Sequence, residues 1–470
     1  TFLSIGYIPS PQSSLKGVQK LGAGFYLTIK DGLQVEKDMF GYQEFLNSNN
    51  SCKMSIGDAT AEYERLHKEA IEARIKDKNS VGLLMSGGYD SAGNIGTLRD
   101  VYSGDISTFS IGFKDNPWTE LPLAKLLAER FGAKHNDYEI DGTEILDLPQ
   151  IVQYLGDPFQ EGGLMVNFKV MGLIGDNKPD IILGGDGNDQ HHGTAGKELA
   201  LHFNLKKKGL QPIQKLLSSL SGMSIFNKDN KFFRMKFHNE KILNILKSDV
   251  FGFSPSQQKA ILNAGINVYP PLYLSRLPKS HSSFDELYFI HNYFGDIKQV
   301  INEVILFKAS KMASLFENSL SFPYMSTDMY NFLMTLPRDL KNKGSVDDMA
   351  KGRGISKFLH KNYLKPKLPK EITERKKQGG FAPLPIFFKN DEQRKKIADF
   401  ILSSSICTDF FKQSAIEDFV TGYNNDLQKG AYWFWYSQVK ATQYFNLLAL
   451  AVWWEMMING KKGDNLFNLK

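Results

Sequence analysis

The pattern of apolar and polar positions changes character twice along the chain. Over the first 50 residues, short apolar runs such as Phe25-Tyr26-Leu27-Thr28-Ile29 are broken by Pro9, Pro11 and several glycines, the texture of β-hairpins. Between residues 58 and 78, Tyr63, Leu66, Ala70 and Ala73 recur at helical spacing among charges, which predicts an amphipathic helix and a boundary near residues 51–57. Apolar runs then follow at residues 81–85, 108–113 and 180–184, with a weaker one at 137–140, separated by helical stretches. This alternation predicts an α/β fold, a parallel sheet flanked by helices with its ligand pocket outside the carboxyl ends of the strands. Beyond about residue 195 the pattern is mostly helical and ends in an aromatic band from Tyr432-Trp433-Phe434-Trp435 to Trp453-Trp454, read as core packing.

Composition narrows the class. The chain has 470 residues, 42% hydrophobic and 23% charged, which excludes a disordered or fibrous protein and leaves room for about two or three units. The longest apolar stretch is the eight residues 447–454, too short to span a bilayer, and no signal peptide is visible although residue 1 is Thr. Cys52 and Cys407 are too few for a disulfide framework or a thiolate zinc site, so a reducing, cytoplasmic setting is expected. The net charge of +6 is small, and basic runs such as Lys206-Lys207-Lys208 come without a nucleic-acid-binding module. Neither nucleic acid nor membrane is an expected partner.

The sharpest chemical signal is Met85-Ser86-Gly87-Gly88-Tyr89-Asp90-Ser91, directly after a buried strand and before a helix opening at Ala92. Adjacent glycines let backbone approach a ligand closely, and N–H groups at a helix start cradle anions. Ser86 and Ser91 add hydroxyl donors. Asp90 would repel a bare phosphate but can hold Mg²⁺ against it, so the implied ligand is a magnesium-bound nucleotide. The bland alternative is a turn with a capping aspartate. Neither a G-x-x-x-x-G-K-S/T loop nor a G-x-G-x-x-G fingerprint is present, so a different phosphate chemistry is required.

This loop resembles the pyrophosphate loop of the asparagine synthetase and β-lactam synthetase family. Ser110-Ile111-Gly112-Phe113, Asp157-Pro158-Phe159, Gly184-Gly185-Asp186-Gly187-Asn188-Asp189 and Arg375-Lys376-Lys377-Gln378 resemble further family segments in family order. Residues 4–31 resemble the end of a glutaminase domain. The resemblance implies a glutaminase remnant over residues 1–55 and an ATP-pyrophosphatase, Rossmann-like synthetase domain over 56–470. It also implies ATP and Mg²⁺ as cofactors, adenylation of a carboxylate with loss of pyrophosphate, and acyl transfer to an amine. Asp90 and Asp189 resemble the metal-binding pair, and Lys377 the lysine that stabilises the transferring phosphates. Asp186 stands where a base for the attacking amine is found, or else braces the glycine-rich turn. Adenine and ribose contacts fall by resemblance to Met85, Ile111, Gly184 and Gly185, and pyrophosphate contacts to Ser86, Gly87, Gly88 and Ser91.

Departures from the family pattern concentrate near the acceptor site. Ser319 and Ser321 stand where a typical asparagine synthetase has Glu and Arg, Ser326 replaces an Asp, Gln190 a Glu, and Gly379-Gly380 lengthens one turn. Loss of a guanidinium removes a strong anchor for a small dicarboxylic acid. The acid can be a small molecule or a peptide, and the nitrogen can come from ammonia, glutamine or an internal amine. A separate glutaminase subunit and a homodimer are both compatible. An intramolecular cyclase and a silent scaffold are the alternatives. His191 and His192 are expected in a polar loop rather than on zinc, and Thr1 as a trimmed end rather than a nucleophile.

Overall fold

The computed structural model describes residues 1–39, 41, 45, 52–117, 119–175, 178–220, 231–243, 252–268, 277–278, 280–374, 382–428, 433–463 and 466–467. Strands β1 (Phe25–Lys30) and β2 (Leu33–Asp38) form an antiparallel hairpin with Lys30 opposite Leu33. Helix α1 (Ile56–Ile75) follows, its first turn capped by the Ser55 hydroxyl, which accepts from the Asp58 N–H at 3.2 Å. Of its predicted apolar stripe, Tyr63, Leu66 and Ala70 turn inward, whereas Ala73 is exposed and Ile71 takes its place on the buried face. The helix stops three residues short of the expected end, at Ile75.

The strands of the main sheet come next, four of them from the predicted runs and a two-residue fifth from none. They are β3 (Val81–Leu84), followed by α2 (Tyr89–Val101), then β4 (Ile106–Phe113) and β5 (Lys134–Ile140). Helix α3 (Leu164–Ile174) leads to β6 (Ile181–Leu183) and the short α4 (Asn188–His192). Helix α5 (Phe307–Leu315) leads to β7 (Leu320–Ser321), and α6 (Phe358–Leu364) and α7 (Phe434–Trp453) lie further on. The sheet runs β5-β4-β3-β6-β7, all parallel. Because β3 is central, its carboxyl end and that of its neighbour β6 open onto the same crevice.

Alternation along the strands divides the interior in two. Phe109 and Ile182 point into a cluster with Leu148, Ile151, Phe387, Tyr444 and Phe445, so α7 and its aromatic residues cover one face. Val81, Leu83, Ile106 and Leu183 point into the other, with Tyr63, Ile71 and Ile95. A strand buried on both sides is what a helix-covered parallel sheet demands. Among the described residues no helix is long and apolar enough to cross a membrane.

The first residues belong to the larger cluster. A short helix, Phe2–Ile5, buries Phe2 and Leu3, and the Leu3 carbonyl accepts from the Phe253 N–H at 2.8 Å. The Gly6 carbonyl accepts from the Gln160 N–H at 2.7 Å, and Asp157 pairs with Lys20 at 2.5 Å. The N-terminal segment therefore braces the loop before α3. The β1–β2 hairpin differs, with Leu27, Ile29, Leu33 and Val35 all exposed.

Candidate active site

The turn from β3 to α2 is built by its own small residues. Gly87 sits at φ +71°, and a Cβ there would come within 2.8 Å of Leu123 Cβ, so both conformation and space require glycine. The Ser86 and Ser91 hydroxyl oxygens lie 3.2 Å apart; the Gly88 N–H donates to Ser86 Oγ at 3.3 Å, and Ser91 Oγ donates to the Gly88 carbonyl at 3.1 Å. Both hydroxyls thus knit the loop to itself. Behind it, Ser110 Oγ donates to the Met85 carbonyl at 2.6 Å and locks the loop to β4. On the other side Gly185 passes so close to α2 that a Cβ would stand 3.2 Å from the Ser91 nitrogen.

Gly184 closes β6, and Asn94 Nδ2 donates to its carbonyl at 2.9 Å. Met85, Ile111, Gly184 and Gly185 thus lie at the carboxyl ends of three adjoining strands, β3, β4 and β6, as does the 86–91 loop. Met85 itself is buried in the core.

Asp90 and Asp189, 99 positions apart in sequence, meet at one cation. Lys357, just before α6, places its ammonium 2.6 Å from Asp90 Oδ2 and 2.9 Å from Asp189 Oδ1. Each aspartate lies in the first turn of its helix, α2 or α4. Burial alone would raise the Asp90 carboxyl, but the Lys357 ammonium and His360 outweigh it and hold it well below the usual carboxylate range. Burial likewise lowers Lys357, and the two carboxylates more than reverse this. Lys357 adopts φ +52°, strained for a residue with a side chain.

A family model described as asparagine synthase matches residues 62–455. The chain belongs to the asparagine synthase family. It is 23% identical over 404 residues to asparagine synthetase [glutamine-hydrolyzing] 1 of Bacillus subtilis, covering 83% of this chain and 59% of that protein. It is 23% identical over 400 residues to a putative asparagine synthetase [glutamine-hydrolyzing] of Mycobacterium tuberculosis, covering 81% and 56%. A shorter match, 26% over 195 residues, is to a putative asparagine synthetase of Methanocaldococcus jannaschii. The chain thus spans less than 60% of the length of these curated relatives.

Further charged residues group around Asp186. Loss of solvation pushes its half-buried carboxyl up to about 6; Lys308 opposes the shift, and Asp90, Glu161 and Asp189 add to it. Lys308, buried in the first turn of α5, is paired with Glu161, whose Oε2 also accepts from the Gly163 N–H at 2.8 Å. The sequence places Lys308 in a stretch resembling the family segment near the acceptor site but assigns no role to either partner of this pair.

The serines that depart from the family pattern have local partners. Ser321 Oγ accepts from Arg74 Nε at 2.9 Å, so a guanidinium from α1 reaches strand β7. Ser326 Oγ caps the helix Thr327–Thr335 by accepting from the Met329 N–H at 3.3 Å. The expectation of a polar loop at His191 and His192 is corrected: both lie in α4 and are fully buried, His191 edge-on to Tyr330, because the turn after Gly187 winds into a helix. Lys377, with Arg375, Lys376 and Gln378, lies outside the described residues.

Proposed function

We propose that this chain is the synthetase part of an ATP-dependent amide-forming ligase, with residues 1–55 the end of a glutaminase-like domain and 56–470 the synthetase domain. The observation that carries the reading is the convergence of Asp90 and Asp189 on one cation beside the 86–91 loop. Two carboxylates suit Mg²⁺, which takes few protein ligands and completes its shell with water and phosphate oxygens. The Lys357 ammonium supports this reading, because it already pairs with both carboxylates. Asp90 and Asp189 would hold the ion; when bound, it supplies neutralisation of phosphate charge and orientation of the leaving pyrophosphate.

The reaction divides between two parts of the crevice. An oxygen of the acid attacks the α-phosphorus of ATP, the bond from that phosphorus to the α–β bridging oxygen breaks, and pyrophosphate leaves. The amine nitrogen then attacks the acyl carbon, the bond to the AMP oxygen breaks, and the ammonium proton passes to Asp186. The 86–91 loop offers N–H groups to the pyrophosphate, and Lys377 serves the same charge by family resemblance.

The test is pyrophosphate release from MgATP with a panel of carboxylic acids, aspartate first, with and without ammonium. Acid-dependent release is expected; no release with any acid would remove the ligase reading and leave the silent scaffold. Release that needs no added amine would favour the cyclase.

Asp186 gives the reading a pH signature. A carboxyl pushed up to about 6 is a base only above that pH, so amide formation is expected to fall as pH drops through about 6. Asp186→Asn should flatten this limb and lower the rate about 10²-fold. The folded chain binds this proton more tightly than the unfolded one, so the ionised carboxyl costs stability above pH 6 and nothing once both states are protonated. Asp186→Asn should therefore melt higher than the parent at pH 7.5 and equally at pH 3.5. An unchanged pH–rate profile in the variant would reduce Asp186 to a brace of its turn.

A further inference from the structure

Asp90 is held by more than Lys357. Its Oδ1 accepts from Asn188 Nδ2 at 2.7 Å; Asn188 Oδ1 accepts from the Tyr63 hydroxyl at 2.7 Å. The Tyr63 oxygen lies 3.1 Å from His360 Nδ1, and His360 Nε2 returns to Asp90 Oδ1 at 3.3 Å. The Tyr63 hydroxyl has one proton, given to Asn188, and a neutral imidazole has one N–H, given to Asp90, so the 3.1 Å approach of Tyr63 to His360 closes the ring by packing and not by a donated bond; its members come from four elements, α1, α2, α4 and α6. Tyr63, Asn188 and His360 are fully buried. Since a carboxylate oxygen only accepts, Asn188 must turn its NH₂ to Asp90, so its carbonyl faces Tyr63 and the phenol donates to it.

The two oxygens of Asp90 therefore have separate duties. Oδ1 is committed to the ring, while Oδ2 faces Lys357 on the side of Asp189. We propose that Tyr63, Asn188 and His360 are positioning residues that fix the rotamer of Asp90 and present Oδ2 alone to the metal–nucleotide complex. This inference rests on the ligase reading above. Its physical logic is that Mg²⁺ demands near-ideal octahedral geometry, which a carboxylate free to turn or to chelate through both oxygens meets poorly. Outer partners that orient a ligand commonly change metal affinity by about 10–100-fold.

The hydrogen bonds of the ring are separate from those of its neighbour, although the Tyr63 ring packs against Tyr363 at 6.1 Å between centroids. His67 Nε2 lies 2.9 Å from Asn94 Oδ1 and its Nδ1 3.2 Å from Thr97 Oγ1, which is 2.6 Å from the Tyr363 hydroxyl. That second network touches β6 through Asn94 and does not reach the Asp90 carboxylate, so it supplies the control.

The experiment measures Mn²⁺ binding by electron paramagnetic resonance, with the full chain and the analogue α,β-methylene-ATP, beside nucleotide binding in EDTA and a thermal melt. Tyr63→Phe deletes one hydroxyl and should weaken Mn²⁺ about tenfold while metal-free nucleotide affinity stays within twofold. His360→Ala should weaken it similarly, and His360→Gln, which keeps a donor for Asp90, should recover most of the loss. Tyr363→Phe, of the control network, should leave Mn²⁺ affinity unchanged. If Tyr63→Phe does not fold, the His360 pair decides. Mn²⁺ affinities within twofold of the parent in the folded ring variants would overturn the positioning role alone; a parent chain that takes no Mn²⁺ with the analogue would overturn this inference and the ligase reading together.

Discussion

Asp90→Asn is expected to abolish acid-dependent pyrophosphate release, by about a thousandfold or more, while the chain remains folded. The estimate follows from what the carboxylate supplies. A cation held against phosphate oxygens stabilises the transition state by several kcal/mol, and about 4 kcal/mol is about a thousandfold in rate. Asparagine keeps the shape and its Oδ1 can still accept from Asn188 Nδ2, but it loses the charge that Lys357 now meets at 2.6 Å. A moderate fall in melting temperature should accompany the change, since Lys357 keeps Asp189 as partner. Alanine is the poorer test, because it also opens the hydrogen-bond ring and confounds activity with packing. Turnover within tenfold of the parent in folded Asp90→Asn would sink the assignment of this crevice to phosphate chemistry.

The parts of this site differ in how far they could be read from the chain. The 86–91 turn is legible because adjacent glycines after an apolar run mark a tight strand-to-helix turn, which Gly87 makes at φ +71°. The strands were legible because a sheet covered on both faces concentrates apolar residues into short runs, as at Val81–Leu84 and Ile181–Leu183. The edge strand β5 was read short, at 137–140 instead of Lys134–Ile140, because it is polar and half-exposed there and no apolar run marks it. Lys357 and His360 left no local trace. One is a lysine inside a basic stretch and the other a lone histidine, and their meaning comes only from being carried to Asp90 across 267 and 270 positions by the packing of α6 on α1 and α2. Tyr63 reads as part of an apolar stripe, which it is; the stripe does not reveal that its hydroxyl ends on Asn188, the partner of Asp90.

Lys357→Met should give the largest change in stability, and one that depends on metal. The ammonium is 7% exposed and neutralises two carboxylates at once. Removing one partner of a buried ion pair costs about 3–5 kcal/mol, because the remaining charges stay behind without compensation. In EDTA the variant should therefore melt several degrees below the parent. Excess Mg²⁺ can take the vacated place, and a ligand at a hundred times its dissociation constant returns about 2.7 kcal/mol, so much of the loss should be regained on adding the ion. The acid limb should also change sign. In the parent, Asp90 is held low, so its contribution is present at neutral pH and lost as pH falls. Without Lys357 the two carboxylates repel and one is pushed up, so the metal-free variant gains stability as pH falls from neutral toward 5. Equal melting temperatures of parent and variant in EDTA, or a variant indifferent to Mg²⁺, would show that the two aspartates do not form one cation site.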